Sequence, residues 1–281
     1  MSGVDQERGP VRIPAESARA SGTAAARDPN GVDPGAPAML RLLAIAMTAG
    51  IVAGLVSWGS GEATVQAFAP SYQLPPELSR SMQKATEERF RRANQSTTYR
   101  AMASYGALGA AMGLALGLAG GLVRRSATMG LTAAVLGLVL GGAAGAGATR
   151  GLLPIFFHAQ RASEDHLASD VMMPLLIHGG IWTAAGLAAG LALGLGMGGR
   201  GRAVQAAIGG AIGAVFATVL YEFAGPFAFP NASTAEPIAV ERFARLLAHL
   251  SVAVLVALGA AWSARYLSPK RAPSATKASL T

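Results

Sequence analysis

The sequence predicts an all-α fold, a polytopic membrane helix bundle of six transmembrane helices that includes two parallel-repeat glycine-zipper hairpins. Three observations carry this. The 281 residues are 52% hydrophobic and only 14% charged, where a soluble domain has about 25% charged residues. Cutting the chain at every Asp, Glu, Lys and Arg leaves six long charge-free windows, 42–61, 101–123, 126–149, 171–199, 203–221 and 246–264, each long enough for a spanning helix of roughly 17–25 residues. Small residues recur every fourth position within several of them. A soluble alternative would need six long helices apolar on every face and too little polar surface to cover them.

The chain begins with residues 1–38, a mixture of Pro, Gly, Ala, Ser and balanced charges without an apolar stripe, expected to be a disordered cytoplasmic tail. The first apolar window lies well behind the start, so it reads as a retained anchor rather than a cleavable signal. The six-helix domain is expected over 39–266, with spans at about 40–60, 101–123, 127–149, 175–198, 203–223 and 244–265. External loops are expected at 61–100, 150–172 and 224–242, and a basic cytoplasmic tail at 267–281. In the first loop Glu77 to Arg100 favours helix, with Glu87 and Glu88 three to four positions before Arg91 and Arg92, a spacing that supports a solvated helix able to run on into the second span.

Helical hairpins repeat in the middle of the chain. Gly109, Gly113 and Gly117 match Gly186, Gly190 and Gly194 at an offset of 77, and Leu114–Leu118 recurs letter for letter as Leu191–Leu195. The second arms match at an offset of 72, Gly137, Gly141 and Gly145 with Gly209, Gly213 and Ala217, followed by Pro154-Ile-Phe-Phe and Pro226-Phe-Ala-Phe. Each unit holds two spans, so the copies run parallel, unlike inverted transporter repeats. Small residues at this spacing let helix backbones approach closely, a main source of association in lipid. Gly50 and Gly54 provide the same device in the first span.

Charge fixes the expected orientation. The side bearing both termini and the turns at Arg124-Arg125 and Arg200-Gly201-Arg202 has thirteen Lys/Arg and five Asp/Glu; the other side has ten of each. The whole net charge of +8 thus lies with the termini, which the positive-inside rule makes cytoplasmic. A nucleic-acid partner is not expected. Arginine outnumbers lysine twenty to three among abundant Ala, Gly and Pro, a GC-rich usage that points to a bacterium and its plasma (inner) membrane. The expected partners are membrane lipid and other membrane proteins or a second copy of the chain.

Chemistry is sparse. No cysteine is present, which removes thiol nucleophiles, thiolate metal sites and disulfides. The windows hold no carboxylate by construction, which argues against a proton or ion relay. Among their residues only His178 and His249 titrate near neutral pH; with Trp182 they are candidates for facing a ligand, the alternative being interfacial histidines with satisfied hydrogen bonds. His158, Glu164, Asp165, His166 and Asp170 are of metal-ligating types, but their spacing fits no specific site. Fourteen of seventeen aromatic residues fall toward the external side, where a symmetric belt would divide them evenly; an ordered external cap is the expected reason. No phosphate loop, Ser-His-Asp set or HExxH motif occurs, and neither a catalytic residue nor a cofactor is expected. The chain reads as a non-enzymatic structural or accessory membrane subunit, with a channel or facilitator for a small uncharged or weakly polar solute as the alternative.

Overall fold

Among the described residues six helices make up the fold: α1 (Ala36–Ala67), α2 (Met82–Arg124), α3 (Ala127–Ala162), α4 (Met172–Met197), α5 (Arg200–Ala228) and α6 (Arg242–Tyr266). The computed structural model describes residues 36–68, 81–162, 172–230 and 236–266. The two expected tails, apart from residues 36–38, lie outside those residues. So do Glu164, Asp165, His166 and Asp170. All six helices are long and apolar enough to cross a membrane, and the architecture is compatible with a multi-pass membrane protein.

The helices are longer than the expected spans. α1 continues to Ala67, α2 starts at Met82, and α3 and α5 run to Ala162 and Ala228 through Pro154 and Pro226. Where they are described, the expected loops 61–100 and 150–172 are therefore largely helical, whereas 224–242 is helical only as far as Ala228 and again at Arg242. A proline inside a helix removes one backbone bond, freeing the carbonyl four residues earlier, here those of Arg150 and Glu222, and both helices continue past that loss.

The two tight turns use left-handed backbone. Arg125 has φ 60° and ψ 39°; its N–H donates to the Leu122 carbonyl and that of Ser126 to the Gly121 carbonyl, the paired bonds of a Schellman motif. Between α4 and α5, Gly198 and Gly199 have φ of 79° and 110°, values that glycine adopts without the penalty a side chain brings.

Backbone contact between small residues holds the bundle. A Cβ added to Gly109, Gly113 or Gly117 of α2 would fall inside 3.0 Å of the backbone of Gly141, Gly137 or Ala133–Ala134 in α3, and one on Gly145 would strike Tyr105. In the next hairpin Gly186 and Gly190 of α4 meet Gly210 and Ala206 of α5 in the same way, and Gly194 meets Ala203. Gly209 and Gly213 instead turn to α6, against Gly259 and Leu255. The sequence match at an offset of 72 therefore pairs residues with different neighbours. By contact, Gly210 and Ala206 occupy the places of Gly141 and Gly137, because the second turn is shorter than that match implies.

The two hairpins abut through Gly120 against Leu193, Gly196 against Gly117 and Gly137 against the Ala192 side chain. Between them Leu108, Met112, Leu116, Ile181 and Leu193 are buried. α1 meets α6 where Gly50 and Gly54 lie over the Ala253 and His249 carbonyls. Large apolar side chains cover the outside: Ile51, Val52 and Val56 on α1, Leu131, Val135 and Val139 on α3, and Val204, Ile212, Val215 and Phe216 on α5 are exposed.

Candidate functional site

One end of the bundle, opposite the Arg124 and Arg200 turns, buries a polar and aromatic cluster. On α5 the small face runs Gly210, Ala214, Thr218, Glu222 at four-residue spacing, so the rows that bring α5 against α4 also bring a carboxylate inward. Glu222 is 7% exposed and His178 of α4 is 2% exposed. His178 Nδ1 lies 2.5 Å from Glu222 Oε1. A buried charge is costly unless paired, and here the imidazole and carboxylate meet directly.

Rings wall this pair. Trp182, one turn along α4, stacks on His178 at 5.0 Å between centroids and 15° between planes. Tyr221 meets both edge-on, at 5.8 Å and 5.5 Å. From α2, Tyr105 is edge-on to His178 and Trp182 and stacked on His249 at 6.4 Å. The Tyr105 hydroxyl donates to the Pro237 carbonyl, 2.6 Å away, which ties the segment before α6 to the cluster. The buried Trp182 indole N–H has no hydrogen-bond partner among the described residues.

His249 joins three helices. Its Nδ1 is 2.8 Å from Ser57 Oγ of α1 and its Nε2 is 3.1 Å from Ser104 Oγ of α2. Each ring nitrogen of His249 thus faces a serine hydroxyl, which can donate or accept, so one serine accepts the ring N–H and the other donates to the bare nitrogen of a neutral ring. Gly61 makes room for the join: its nearest neighbours are Ser104 Oγ and His249 Cε1.

Toward the end of the bundle, the Arg245 guanidinium donates to both oxygens of Glu62 at 2.6 and 2.9 Å and to the carbonyls of Ala239 and Val240. Arg242 lies over the Trp58 ring at 4.9 Å, while the Trp58 indole N–H donates to the Arg242 carbonyl.

Of the candidate ligand-facing residues, His178, Trp182 and His249 thus come together, joined by Tyr105, around packed side chains. Of the candidate metal ligands, His158 is exposed on α3, and no group of three or more His, Asp or Glu side chains able to hold a metal occurs among the described residues. The aromatic residues divide. Tyr105, Trp182 and Tyr221 are interior, whereas Phe90, Phe223, Phe227 and Phe243 are exposed on helices; of the described rings Phe68 and Phe229 alone lie just beyond helix ends, so most belong to the helices rather than to a cap built from loops.

The sequence reading missed Glu222. Defining windows by the absence of charge ended the fifth at Tyr221 and placed the carboxylate outside by definition. Its four-residue spacing from Thr218, Ala214 and Gly210 was the available signal.

Fold and site together define an all-helical protein of six long apolar helices, carrying a buried imidazole–carboxylate pair near one end. No family model matches the chain, and neither the curated proteins nor the solved structures yield a match.

Proposed function

We propose that the chain is a multi-pass integral membrane protein with a structural or accessory, non-enzymatic role, presenting its helix faces to lipid and to neighbouring membrane proteins or a second copy of itself. The observation that carries this is the filled seam between the α2–α3 and α4–α5 hairpins. A solute path between hairpins would need polar lining along its length, and from the Trp182 level to the Arg124 turn the seam holds glycine backbone, leucine, isoleucine and methionine. The exposed valines, isoleucines, leucines and phenylalanines on α1, α3 and α5 favour an acyl-chain environment, since soluble proteins rarely expose apolar patches of that extent. The glycine stripes support a glycine-zipper reading. The like contacts of Gly186 and Gly190 with those of Gly109 and Gly113 support two parallel hairpin copies.

On this reading both termini are cytoplasmic and the His178 end is external, in the plasma (inner) membrane of a bacterium. The native chain has no cysteine, so single cysteines at Ser126 and Ser233 test the orientation. An impermeant thiol reagent should label them from opposite sides of the membrane. Same-side labelling would overturn the six-span arrangement.

The alternative is a channel or facilitator for a small uncharged or weakly polar solute. Purified protein in liposomes should leave glycerol and urea flux at the level of empty vesicles. Flux above that level, lost on Thr183→Val or Gln205→Leu, would replace the accessory reading with the channel.

A further inference from the structure

We propose that the His178–Glu222 pair is a proton-binding latch that closes the α4–α5 junction while it holds one proton and releases that junction when it takes a second. This goes beyond an accessory role and does not depend on which partner the protein meets.

The pair is enclosed on several sides. On α4 itself is Trp182; from α5 come Tyr221 and Thr218, from α2 Tyr105, and from α3 the Leu152 side chain beside Gly180. His249 of α6 lies across the Tyr105 ring, and beyond it Glu62 of α1 is taken by Arg245. No carboxylate other than Glu222 contacts His178 among the described residues. With one proton shared between imidazole and carboxylate, the pair is neutral overall and its short hydrogen bond joins α4 to α5.

A second proton, taken from water, bonds to a carboxylate oxygen. The products are an imidazolium and a neutral carboxylic acid, net charge +1, between apolar rings. The imidazolium keeps the face of Trp182, whose attraction offsets part of the loss, but it no longer has a counter-charge in contact. Hydration of the cation is then the favourable outcome, and it requires α4 and α5 to part at this end.

The backbone is arranged for that. Pro226 leaves the Glu222 carbonyl without its helical donor, one turn beyond the pair, while Gly179, Gly180 and Gly225 flank it with minimal side-chain bulk. Toward the other end, the contacts of Gly186 with Gly210 and of Gly190 with Ala206 keep the hairpin closed. The opening is therefore local, at the His178 end.

Thr218 is the reporter: it is buried, one turn before Glu222, and lies beside Gly179. A Thr218→Cys variant of the full chain in detergent is reacted with a dithiodipyridine reagent between about pH 3 and about pH 6, the range in which a hydrated carboxylate beside an imidazolium takes its proton, its rate divided by that of Gly147→Cys, an exposed position on α3 with open space around it. A single titrating proton changes an equilibrium tenfold per pH unit, so the ratio should rise at least about tenfold on acidification. In Glu222→Gln and in His178→Gln backgrounds it should stay flat. A flat ratio in the native background overturns the proposal whether or not either variant folds. An equal rise in a folded Glu222→Gln background also overturns it and assigns the titration to another group, His249 being the nearest.

Discussion

Gly113→Leu should cost the folded protein more than about 3 kcal/mol, a fall in melting temperature of roughly 10 °C in detergent, while Gly147→Leu should leave the melting temperature within about 2 °C of native. A Cβ on Gly113 would lie inside 3.0 Å of the Gly137 backbone, whereas nothing stands within 4 Å of one on Gly147. Backbone cannot rotate away as a flexible side chain does, so α2 and α3 must separate along their length. Separation also withdraws Gly109 from Gly141 and Gly117 from Ala134, and forfeits dispersion contacts at every level of the hairpin. Gly190→Leu should behave like Gly113→Leu, since its neighbour is the Ala206 backbone. Equal melting temperatures for Gly113→Leu, Gly190→Leu and Gly147→Leu would show that close backbone approach does not hold the bundle.

Removing one member of the buried pair is the second large effect. Glu222→Leu leaves the His178 N–H without its acceptor, and His178→Leu leaves a carboxylate among apolar rings. Breaking a buried pair from one side costs about 3–5 kcal/mol, whereas replacing both members by apolar residues is often close to neutral. At neutral pH each single variant should melt well below native, and the double variant should melt above the Glu222→Leu single. The coupling in this double-mutant cycle should reach at least about 2 kcal/mol. Additive losses would mean that the two side chains do not stabilise one another.

Much of this architecture was legible in the sequence because it depends on long-wavelength properties. A charge-free stretch of twenty residues has one stable arrangement in lipid, and glycine every fourth position marks a face. Gly109, Gly113 and Gly117 were readable as a packing stripe on that basis alone. What a stripe faces was not. Gly209, Gly210 and Gly213 lie within one turn of α5, and only the rotation of that helix sends Gly210 to α4 and the other two to α6. A match by letters cannot resolve a rotation of that size.

The site was legible in part for the same reason. His178 and His249 stood out as the titratable residues of apolar windows. Their meeting with Tyr105 depends on three helices crossing at matching heights, which no single-chain periodicity encodes. Glu222 was hidden by treating charge as the boundary of an apolar window: the expected span 203–223 contained it, but the search for titratable groups stopped at 221, although a carboxylate with a partner in reach can be buried there. Pro154 and Pro226 each cost their helix one backbone bond, and packing on neighbouring helices keeps it going.

The lengths of the helices also set a scale. At 1.5 Å per residue, the 43 residues of α2 and 36 of α3 extend about 64 Å and about 54 Å, against about 39 Å for the 26 residues of α4. α2 and α3 start level with their neighbours at the Arg124 turn, so the surplus emerges at the opposite end as a two-helix mast about 15–25 Å tall. Less than half of α2 would suffice to span a hydrocarbon layer of about 30 Å. The mast bears Glu88 in ion pairs with Arg91 and Arg92, the kind of surface that water favours, and among the described residues it reaches farthest beyond the end of α4.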